Sequence, residues 1–527
     1  MTTMLPDHAR RSVVPSGLLW CLLSLLLMTG CSATPVSREH RVALAPWEVA
    51  DTRLGQWVAE QAAPQEDTSA FALLADGRDA FAVRALLTAR AERRLDIQTY
   101  LMGDGLTTRI LLHQVLLAAD RGVEVRLLLD DIGAIGQGRR LASLDSHPNI
   151  EVRVFHPLPI GRSHLVARVL ATASVFNRHH RRMHNKLWIA DNALAIVGGR
   201  NLGDEYYNAS EPRNFADLDM LTLGDVVTPL SRSFDLYWNH GLAQPVGRFH
   251  RAAADAWQVL RDELAARLDD EEKTDYFAAL RERRDERDRN RLVDDLRWGE
   301  AEAFWDPPGK PGYHHTPALD DTMAGQLWRR TTPSEKLSLV SAYFVPTEAG
   351  SQWLQSLARS DVDIRVVTNS LEATDVPMAH GAYMPHREAL LESGVELFEL
   401  RVRHDNPDEV AIGVPGTSAS ALHIKALGID DDMVFVGSPN ADPRSVWWNS
   451  EVGVLAISEG LAADFEALVK EGAQPTVSYS VELDAEGKLA WLTREDGAPV
   501  KLEREPGNAW RRLNAWLSRV LGLERWL

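Results

Sequence analysis

This chain of 527 residues has few cysteines and no net positive charge. The only cysteines are Cys21 and Cys31, so if Cys31 is lipidated after export, the mature chain has neither a free thiol nor a disulfide. The formal net charge of -18 argues against a general nucleic-acid binder, which normally carries a basic footprint. Anionic lipid substrates remain compatible with this charge, because a local basic site can bind them.

The apolar run near the start of the chain is too short for a relaxed transmembrane helix. This run, residues 18–28, follows Arg10 and Arg11 and leads into MTGCS. Such a layout is typical of a secretory signal, and the MTGC ending resembles a bacterial lipoprotein cleavage box. We therefore expect residues 1–31 to be a lipoprotein-type signal peptide ending at a lipidated Cys31. An uncleaved short membrane anchor is the alternative, and both interpretations predict an exported, membrane-bound protein.

Lysine is scarce as well, with eight residues against 49 arginines, yet two of the eight occupy identical positions in a repeated motif. HNKLWIAD at residues 184–191 and HIKALGID at residues 423–430 each place a lysine two residues after a histidine, and an aspartate five residues after the lysine. The two copies begin 239 residues apart. One copy is weak evidence, whereas a second copy with the same spacing makes chance a poor explanation.

The sequence around the motif is duplicated too. Strand, helix and strand patterns at residues 94–102, 107–121 and 123–131 recur in the second half as KLSLVSAYFVP, SQWLQSLARS and VDIRVVTNS. This order predicts α/β units with buried sheets and a two-copy domain duplication. The expected segments are an N-terminal domain at 40–240, a helical charged linker at 241–330, a C-terminal domain at 331–475, and a hairpin plus amphipathic helix at 476–527.

Two histidines and two lysines suit the transfer of a phosphodiester. Histidine acts as a nucleophile or general acid near neutral pH, so one of His184 and His423 can form a phosphohistidine while the other protonates the departing alcohol. Lys186 and Lys425 share a face with the histidines on an extended strand and place positive charge beside the phosphoryl oxygens. We expect no cofactor and no metal, since neither motif has a typical ligand cluster.

Other polar residues recur at matching positions. Asn201 in GGRN and Asn440 in GSPN stand seventeen residues after the histidines, where their amides are suitable donors to a phosphate. Small residues before them, including Ser438, let the backbone approach the phosphate closely. Asp191 and Asp430 complete the candidate catalytic motifs, although their phase on the strand favours a structural or orienting role.

The paired HxKxxxxD motifs, each followed by G[GS]xN, resemble those of the phospholipase D superfamily over most of the mature chain. RRMHNK, VGGRNLGDEYY, SAYFVP and GSPNADPRS are similar to segments of bacterial cardiolipin synthases, and LDSHPNIEVRVF and TNSLEATD to their C-type branch. The resemblance implies an α/β fold in which two pseudo-symmetric α-β-α sandwich domains share one active site. It also implies His184 as nucleophile, His423 as acid and base, and Glu451 and Asp219 as acids that help to hold the histidines.

The resemblance implies phosphatidyl transfer that makes cardiolipin. Phosphatidylglycerol or phosphatidylethanolamine would be the donor, and the glycerol headgroup of phosphatidylglycerol the acceptor. A phospholipase D that hydrolyses phospholipids to phosphatidic acid would use the same residues. The alternative of another class is a non-catalytic lipid-binding lipoprotein, which does not need two intact His/Lys pairs. We expect membrane phospholipids and no nucleic acid as partners, in the bacterial cell envelope with a lipid anchor that faces the periplasm. The sequence leaves open the membrane, outer or inner, and the oligomeric state.

Two more features have alternative interpretations. Tyr100 and Tyr343 end corresponding strands and either line the cavity, where they would bind substrate, or pack in the core. His380 in DVPMAHGAY acts near the site or is structural. The C-terminal segment has an apolar helical face that either packs against the body or lies at a membrane interface; this face consists of Trp510, Leu513, Leu517, Val520 and Leu521.

Overall fold

Apolar runs rich in β-branched residues form most of the strands in both halves of the chain. The computed structural model describes residues 40–63, 65, 69–157, 180–271, 276, 294–402, 410–415, 419–495 and 497–527. The expected signal peptide and Cys31 therefore lie outside the described residues.

The first half alternates strands and helices as the sequence predicts. Its strands are β1 (Ser69–Leu74), β2 (Arg94–Thr99), β3 (Glu124–Asp130), β4 (Ile150–Phe155), β5 (Leu187–Ala190), β6 (Leu194–Gly198), β7 (Asn214–Ala216), β8 (Asp219–Gly224) and β9 (Ala243–Pro245). Its helices are α1 (Pro46–Ala50), α2 (Arg53–Ala62), α3 (Gly77–Arg90), α4 (Leu106–Asp120), α5 (Gly138–Asp145), α6 (Val227–Trp238) and α7 (Ala256–Glu271).

The second half repeats this plan and adds a C-terminal extension. Its strands are β10 (Arg297–Trp305), β11 (Lys336–Ser341), β12 (Asp363–Asn369), β13 (Glu396–Leu400), β14 (Val410–Ala411), β15 (Val414–Pro415), β16 (Ser420–Leu422), β17 (Lys425–Ile429), β18 (Met433–Gly437), β19 (Val452–Ile457), β20 (Ser478–Leu483), β21 (Leu489–Glu495) and β22 (Ala498–Leu502). Its helices are α8 (Met323–Arg330), α9 (Thr347–Ala358), α10 (Pro377–Tyr383), α11 (Arg387–Glu392), α12 (Pro443–Trp447), α13 (Glu459–Gly472) and α14 (Ala509–Val520).

The two halves have the same sheet topology. In the first, the strand order is β8-β6-β5-β2-β3-β4-β9, with β2, β3 and β4 parallel. In the second, β19-β18-β17-β11-β12-β13-β20 follows the same order, with β11, β12 and β13 parallel. Parallel strands need crossover connections, and α4 and α9 supply the first of these in each half. The predicted α/β fold of two pseudo-symmetric domains is confirmed.

The segment expected to be a helical linker contains a long strand that joins the two sheets. The first residues of β10 pair with β1, with Gly299 opposite Ser69, and its later residues pair with β19, from Glu300 to Trp305. The sequence GEAEAF has the two-residue alternation of a strand, which the highly charged stretch before it obscures. Helices α7 and α8 are the α-helical parts of this segment among the described residues.

One apolar cluster contains residues from both halves. It includes Phe71 and Ile189 from the first half and Val434 and Val454 from the second, all buried. Val42–Leu527 accordingly forms one compact unit. Since burial of apolar area is the main favourable term in folding, the halves stabilise each other. Among the described residues, no helix has both the length and the apolar character needed to cross a membrane.

Candidate active site

A cavity of about 190 Å³ brings the two motifs together. Both histidines and both asparagines line it, as do Tyr100 and Tyr343, which follow the corresponding strands β2 and β11. The lining side chains are Tyr100, Leu101, His184, Asn201, Tyr206, Tyr343, Asp375, Val376, Ala379, His423, Asn440, Asp442, Arg444, Asn449 and Leu527. The two motifs therefore belong to one cavity.

Each histidine is held by backbone from the opposite half. The His184 N–H donates to the Ser450 carbonyl at 2.9 Å, and the His423 N–H donates to the Ala216 carbonyl at 2.6 Å. Strand β16 directly precedes His423, and strand β7 ends at Ala216. These two strands pair in parallel. Because each half supplies the backbone acceptor for the other, neither histidine is positioned by its own half alone.

The side-chain partners of the histidines also cross between the halves. Glu451 Oε2 lies 3.0 Å from His184 Nδ1, and Asp217 Oδ2 lies 2.6 Å from His423 Nδ1. An ionised carboxylate only accepts hydrogen bonds. Such a partner therefore places the imidazole proton on Nδ1 and leaves Nε2 for chemistry.

The partner of His423 is Asp217 and not Asp219, so the sequence-based assignment of Asp219 is wrong. Sheet register shows why: Gly198 pairs with Asp219 in the first half, and Gly437 pairs with Gly453 in the second. The residue equivalent to Glu451 is therefore two positions before Asp219. Residues two apart on a strand share a face, so both aspartates of the DLD sequence lie on the same face. The sequence alone therefore does not show which of them contacts His423.

Asp219 instead belongs to a buried ion-pair group. Its Oδ2 lies 2.8 Å from Arg84 Nη2 and 3.2 Å from Arg200 Nη1. A buried carboxylate needs such partners, because an uncompensated charge in the interior is costly. Asp219 thus packs behind Asp217 and does not reach the cavity.

The small residues of GGRN and GSPN make room for the acids. A Cβ added at Gly199 would lie 2.1 Å from Asp217 Oδ1, so a larger residue there would displace this carboxylate. Ser438, at the equivalent position, donates its hydroxyl to Glu451 Oε2 at 2.5 Å and is fully buried. Ser438 was expected to bind substrate; the structure places it behind Glu451, which it orients.

Both motif lysines are buried beside their histidines. Lys186 Nζ donates to the His184 carbonyl at 2.6 Å, and Lys425 Nζ donates to the His423 carbonyl at 2.5 Å. Burial lowers the pKa of Lys186 to about 7, against the opposing effect of Glu451. Burial also lowers the pKa of Lys425. Desolvated cations of this kind interact strongly with an anionic group that enters the site.

The two histidines differ in their electrostatic surroundings. Burial and then the Lys186 charge bring the pKa of His184 well below its ordinary value. Burial and Lys425 lower the pKa of His423 as well, but Asp217 opposes them. Burial favours the neutral acid at Asp217, yet the charge of His423 keeps the pKa of this acid below its ordinary value. At a given pH His184 is thus the more readily unprotonated of the two, and His423 the more readily protonated.

Aromatic rings flank both histidines. Tyr100 lies edge-on to His184 with ring centroids 5.0 Å apart, and Tyr206 lies edge-on to His423 at 5.2 Å. The Asn201 amide donates to the Tyr206 hydroxyl at 2.9 Å, so Asn201 orients this ring from the cavity wall. Tyr206 was not predicted as a site residue, although it stands in the segment VGGRNLGDEYY.

The lining of the cavity contains charged groups of both signs, the acids Asp375 and Asp442 and the cation Arg444. The Tyr343 hydroxyl donates to Asp375 at 2.9 Å. Arg444 donates from Nη2 to the His180 carbonyl at 2.9 Å, while its buried Nε has no hydrogen-bond partner among the described residues. The site is therefore asymmetric outside its histidine and lysine pairs.

The motif aspartates lie away from the cavity and cap backbone groups. Asp191 accepts from the N–H groups of Glu92, Arg93 and Arg94 at 2.8–2.9 Å. Asp430 does the same for residues 334–336. Both adopt a left-handed φ of 50°, which Asp and Asn tolerate better than most residues. Neither aspartate is among the residues that line the cavity, and these backbone contacts favour the orienting role over the catalytic one.

Asp306 and Lys310, both in the segment expected to be a linker, hold the backbone of Glu451 in place. Asp306 Oδ2 accepts from the Glu451 N–H at 3.0 Å and lies 2.9 Å from Lys310 Nζ. Lys310 also donates to the Ser445 carbonyl at 3.1 Å. Both side chains are buried, so a paired charge fixes the backbone of the residue that holds His184.

His380 is structural. Its Nε2 lies 2.6 Å from Glu505 Oε1, and Arg387 donates to Glu505 at 2.6 Å and to Glu399 at 3.2 Å. Arg387 thus occupies the space between the two carboxylates. The group ties the C-terminal extension to the second half and lies outside the cavity lining.

Paired His/Lys motifs in one cavity, on two halves with the same topology, define the phospholipase D class of phosphodiester-transferring enzymes. The family described as "Cardiolipin synthase, PLD-like domain" matches residues 86–238 and 331–471. Cardiolipin synthase C of Escherichia coli is 36% identical over 460 residues, which cover 85% of this chain and 94% of the relative. Cardiolipin synthase 2 of Staphylococcus epidermidis is 24% identical over 378 residues, 71% of this chain and 61% of the relative.

A solved structure has the same fold. Phosphatidylserine synthase of Haemophilus influenzae aligns with a TM-score of 0.54 at 11% identity, over 89% of this chain and 99% of that one. The chain belongs to the cardiolipin synthase family of phospholipase D-like proteins.

Proposed function

We propose that this protein is a phosphatidyltransferase that makes cardiolipin from two membrane phospholipids. The observation that carries the proposal is the pair of histidines in one cavity, each with a carboxylate on Nδ1. The family membership and the similarity to Cardiolipin synthase C support the substrate class. A binding protein has no use for this pair, so a non-catalytic lipoprotein is disfavoured.

In the first step, His184 Nε2 attacks the phosphorus of the donor lipid. The new P–N bond forms as the P–O bond to the headgroup breaks, and His423 gives its Nε2 proton to the departing alcohol. Lys186 and Lys425 stabilise the negative charge on the non-bridging oxygens. The lowered pKa of His184, caused mainly by burial, favours the free base that this attack requires.

In the second step, an alcohol replaces the histidine on phosphorus. His423 takes the proton from a glycerol hydroxyl of phosphatidylglycerol while the hydroxyl oxygen attacks phosphorus. The P–N bond breaks, and His184 returns to its neutral form. The products are cardiolipin and the headgroup released earlier. If phosphatidylglycerol is the donor this headgroup is glycerol, and if phosphatidylethanolamine is the donor it is ethanolamine.

Arg444 favours an anionic acceptor over water. An accepting phosphatidylglycerol has its own phosphate, separate from the one that reacts, and this phosphate needs a cation in the cavity wall. Arg444 lines the cavity and has a buried Nε without a partner among the described residues. Guanidinium groups suit phosphate because they present several donors in a fixed plane. Hydrolysis to phosphatidic acid, the nearest alternative, needs no such group.

The products of one incubation test the proposal. Purified full-length protein is incubated with phosphatidylglycerol vesicles, and the lipids are separated. Cardiolipin with an equal amount of free glycerol is the expected result, and His184→Ala and His423→Ala should each abolish it while the protein stays folded. Phosphatidic acid without cardiolipin would show a hydrolase.

The site and the substrate indicate the location. Membrane phospholipids as substrates place the protein at a bacterial membrane. The MTGC sequence before residue 32 supports lipidation of Cys31 and a periplasmic position, in the inner or the outer membrane. Mass spectrometry of the mature N-terminus tests this: an acylated Cys31 is expected, and an unmodified residue 1 would contradict it.

A further inference from the structure

Helix α14 shows its apolar face to solvent. Sequence periodicity put five apolar residues on one face, and four of them are exposed in the structure, between 45% for Leu513 and 69% for Trp510. We name this surface the C-terminal apolar face, and it consists of Trp510, Leu513, Trp516, Val520 and Leu521. Leu517 on the same side is partly buried.

The opposite side of the helix holds it to the protein. Ala515 and Ser518 are buried there, and a Cβ added at Gly381 on α10 would lie 2.3 Å from the Ala515 carbonyl oxygen. Arg511 reaches the Leu371 carbonyl at 3.2 Å. Small residues therefore make the close contact, and the large apolar ones point away from it. A folded protein rarely leaves such a contiguous apolar patch exposed without a partner.

The charge of the helix suits an anionic surface. Within a chain of net charge -18, α14 contains three arginines and no acidic residue. Two of these, Arg511 and Arg512, donate to carbonyl groups of the protein. Arg519 is exposed at the side of the C-terminal apolar face. Tryptophan with arginine beside it is typical of helices that lie at the interface of an anionic bilayer.

The helix is joined directly to the cavity. After Gly522, with a left-handed φ of 60°, the chain turns back towards α12. There Arg444 N–H donates to the Leu527 carbonyl at 3.2 Å, Trp448 donates to the Arg525 carbonyl at 3.2 Å, and Leu527 itself lines the cavity. The last residue of the C-terminal apolar face, Leu521, and the cavity-lining Leu527 are therefore only six residues apart along the chain.

The cavity has room for only part of a phospholipid, which is the substrate under the proposed function on which this inference rests. At about 190 Å³ the cavity is smaller than the roughly 300–1,000 Å³ that encloses a drug-sized ligand, so it admits a headgroup and leaves the acyl chains outside. We infer that the C-terminal apolar face docks on a bilayer containing anionic phospholipid, and so brings headgroups to the cavity while their acyl chains stay in the membrane.

Membrane depth at position 516 tests the docking directly. The full-length chain with Trp516→Cys carries a nitroxide label, and the unsubstituted chain treated with the same label gives the background from Cys21 and Cys31. In vesicles of phosphatidylglycerol and phosphatidylcholine, the label should become more accessible to oxygen and at least fivefold less accessible to a water-soluble nickel complex. Unchanged accessibility would overturn the inference, as would equal protection without vesicles, which indicates self-association.

Activity on two forms of one substrate gives the second test. The variant Leu513→Gln/Trp516→Gln/Val520→Gln should lose at least tenfold in transfer on vesicles, and less than twofold on short-chain phosphatidylglycerol dissolved as monomers. The control Leu86→Gln/Val259→Gln changes residues exposed by 44% and 58% on other helices, and should change neither rate by twofold. Equal loss on both substrates, or no loss on vesicles, would refute docking. If the wild-type chain transfers neither substrate, the proposed function fails, while the depth measurement still decides the inference.

Discussion

Replacement of Asp217 tests how the two halves make one site. Asp217→Asn keeps the shape of the side chain but removes the charge that lies 2.6 Å from His423 Nδ1. A hydrogen bond to a charged group contributes about 1.5–3 kcal/mol, which corresponds to about 10- to 150-fold in rate. The amide can also donate to Nδ1 and stabilise the wrong tautomer, so we expect at least a 100-fold loss of kcat.

The matched control lies two residues further on. Asp219→Asn breaks ion pairs with Arg84 and Arg200 and makes no contact with a histidine, so it should lower the free energy of unfolding by about 3–5 kcal/mol while folded molecules keep kcat within about threefold. Transfer of radiolabelled phosphatidylglycerol measures kcat, and urea unfolding gives the folded fraction.

A substrate with a better leaving group shows what Asp217 does. Phosphatidyl-p-nitrophenol needs little protonation of its leaving group, so formation of the intermediate should fall far less in Asp217→Asn on this substrate than on phosphatidylglycerol. If folded Asp217→Asn keeps kcat within threefold on phosphatidylglycerol, the pairing does not serve proton transfer and the reasoning is refuted.

Four other residues give predictions of the same kind. Burial lowers the pKa of Lys186 to about 7, so its charge is lost as pH rises and kcat/KM should fall above pH about 7. Lys186→Arg should abolish this fall, because arginine stays charged. If the fall at high pH is unchanged in this variant, it belongs to another group. Lys310→Met leaves Asp306 without its cation and should lower the free energy of unfolding by about 3–5 kcal/mol, partly restored by adding Asp306→Asn; no restoration would argue against the pair. Asp191→Ala should cost about 2–3 kcal/mol of stability with kcat of folded molecules near wild type, and a 100-fold fall in kcat would instead give Asp191 a catalytic role. Arg444→Gln should raise KM for phosphatidylglycerol as acceptor about tenfold, with transfer to ethanol unchanged and Arg444→Lys intermediate; equal effects on both acceptors would show that Arg444 does not bind the second phosphate.

The duplicated fold and the composition of the site follow from residue spacing. The repeated HxKxxxxD motif shows which side chains recur in the two halves. The apolar runs around it predict the strand order that both halves share. The paired motifs therefore predict that His184 and His423 meet. Residue spacing does not predict that the acid of one half contacts the histidine of the other. In the structure Glu451 holds His184, and Asp217 holds His423. These contacts between the halves depend on how the two sheets pack.

The predictions that the sequence did not decide, or decided wrongly, also have physical causes. Asp217 and Asp219 have the same phase on one strand, so only the pairing of Gly198 with Asp219 separates them. Helical periodicity at residues 509–521 shows that α14 is amphipathic, but it does not show which face packs. Close contact of Ala515 with Gly381 decides in favour of the small residues, because large side chains hold helices further apart. Tyr206 has no periodic signal and is recognised only beside His423.

The covalent intermediate is the most direct test of a single site with divided roles. Full-length protein is mixed with phosphatidylglycerol labelled at phosphorus, quenched in base within milliseconds, digested, and analysed by mass spectrometry for phosphohistidine. We expect the label on the peptide that contains His184, both in the wild-type chain and in His423→Ala given phosphatidyl-p-nitrophenol. Label on His423 instead, or rapid turnover without any covalent label, would contradict the account.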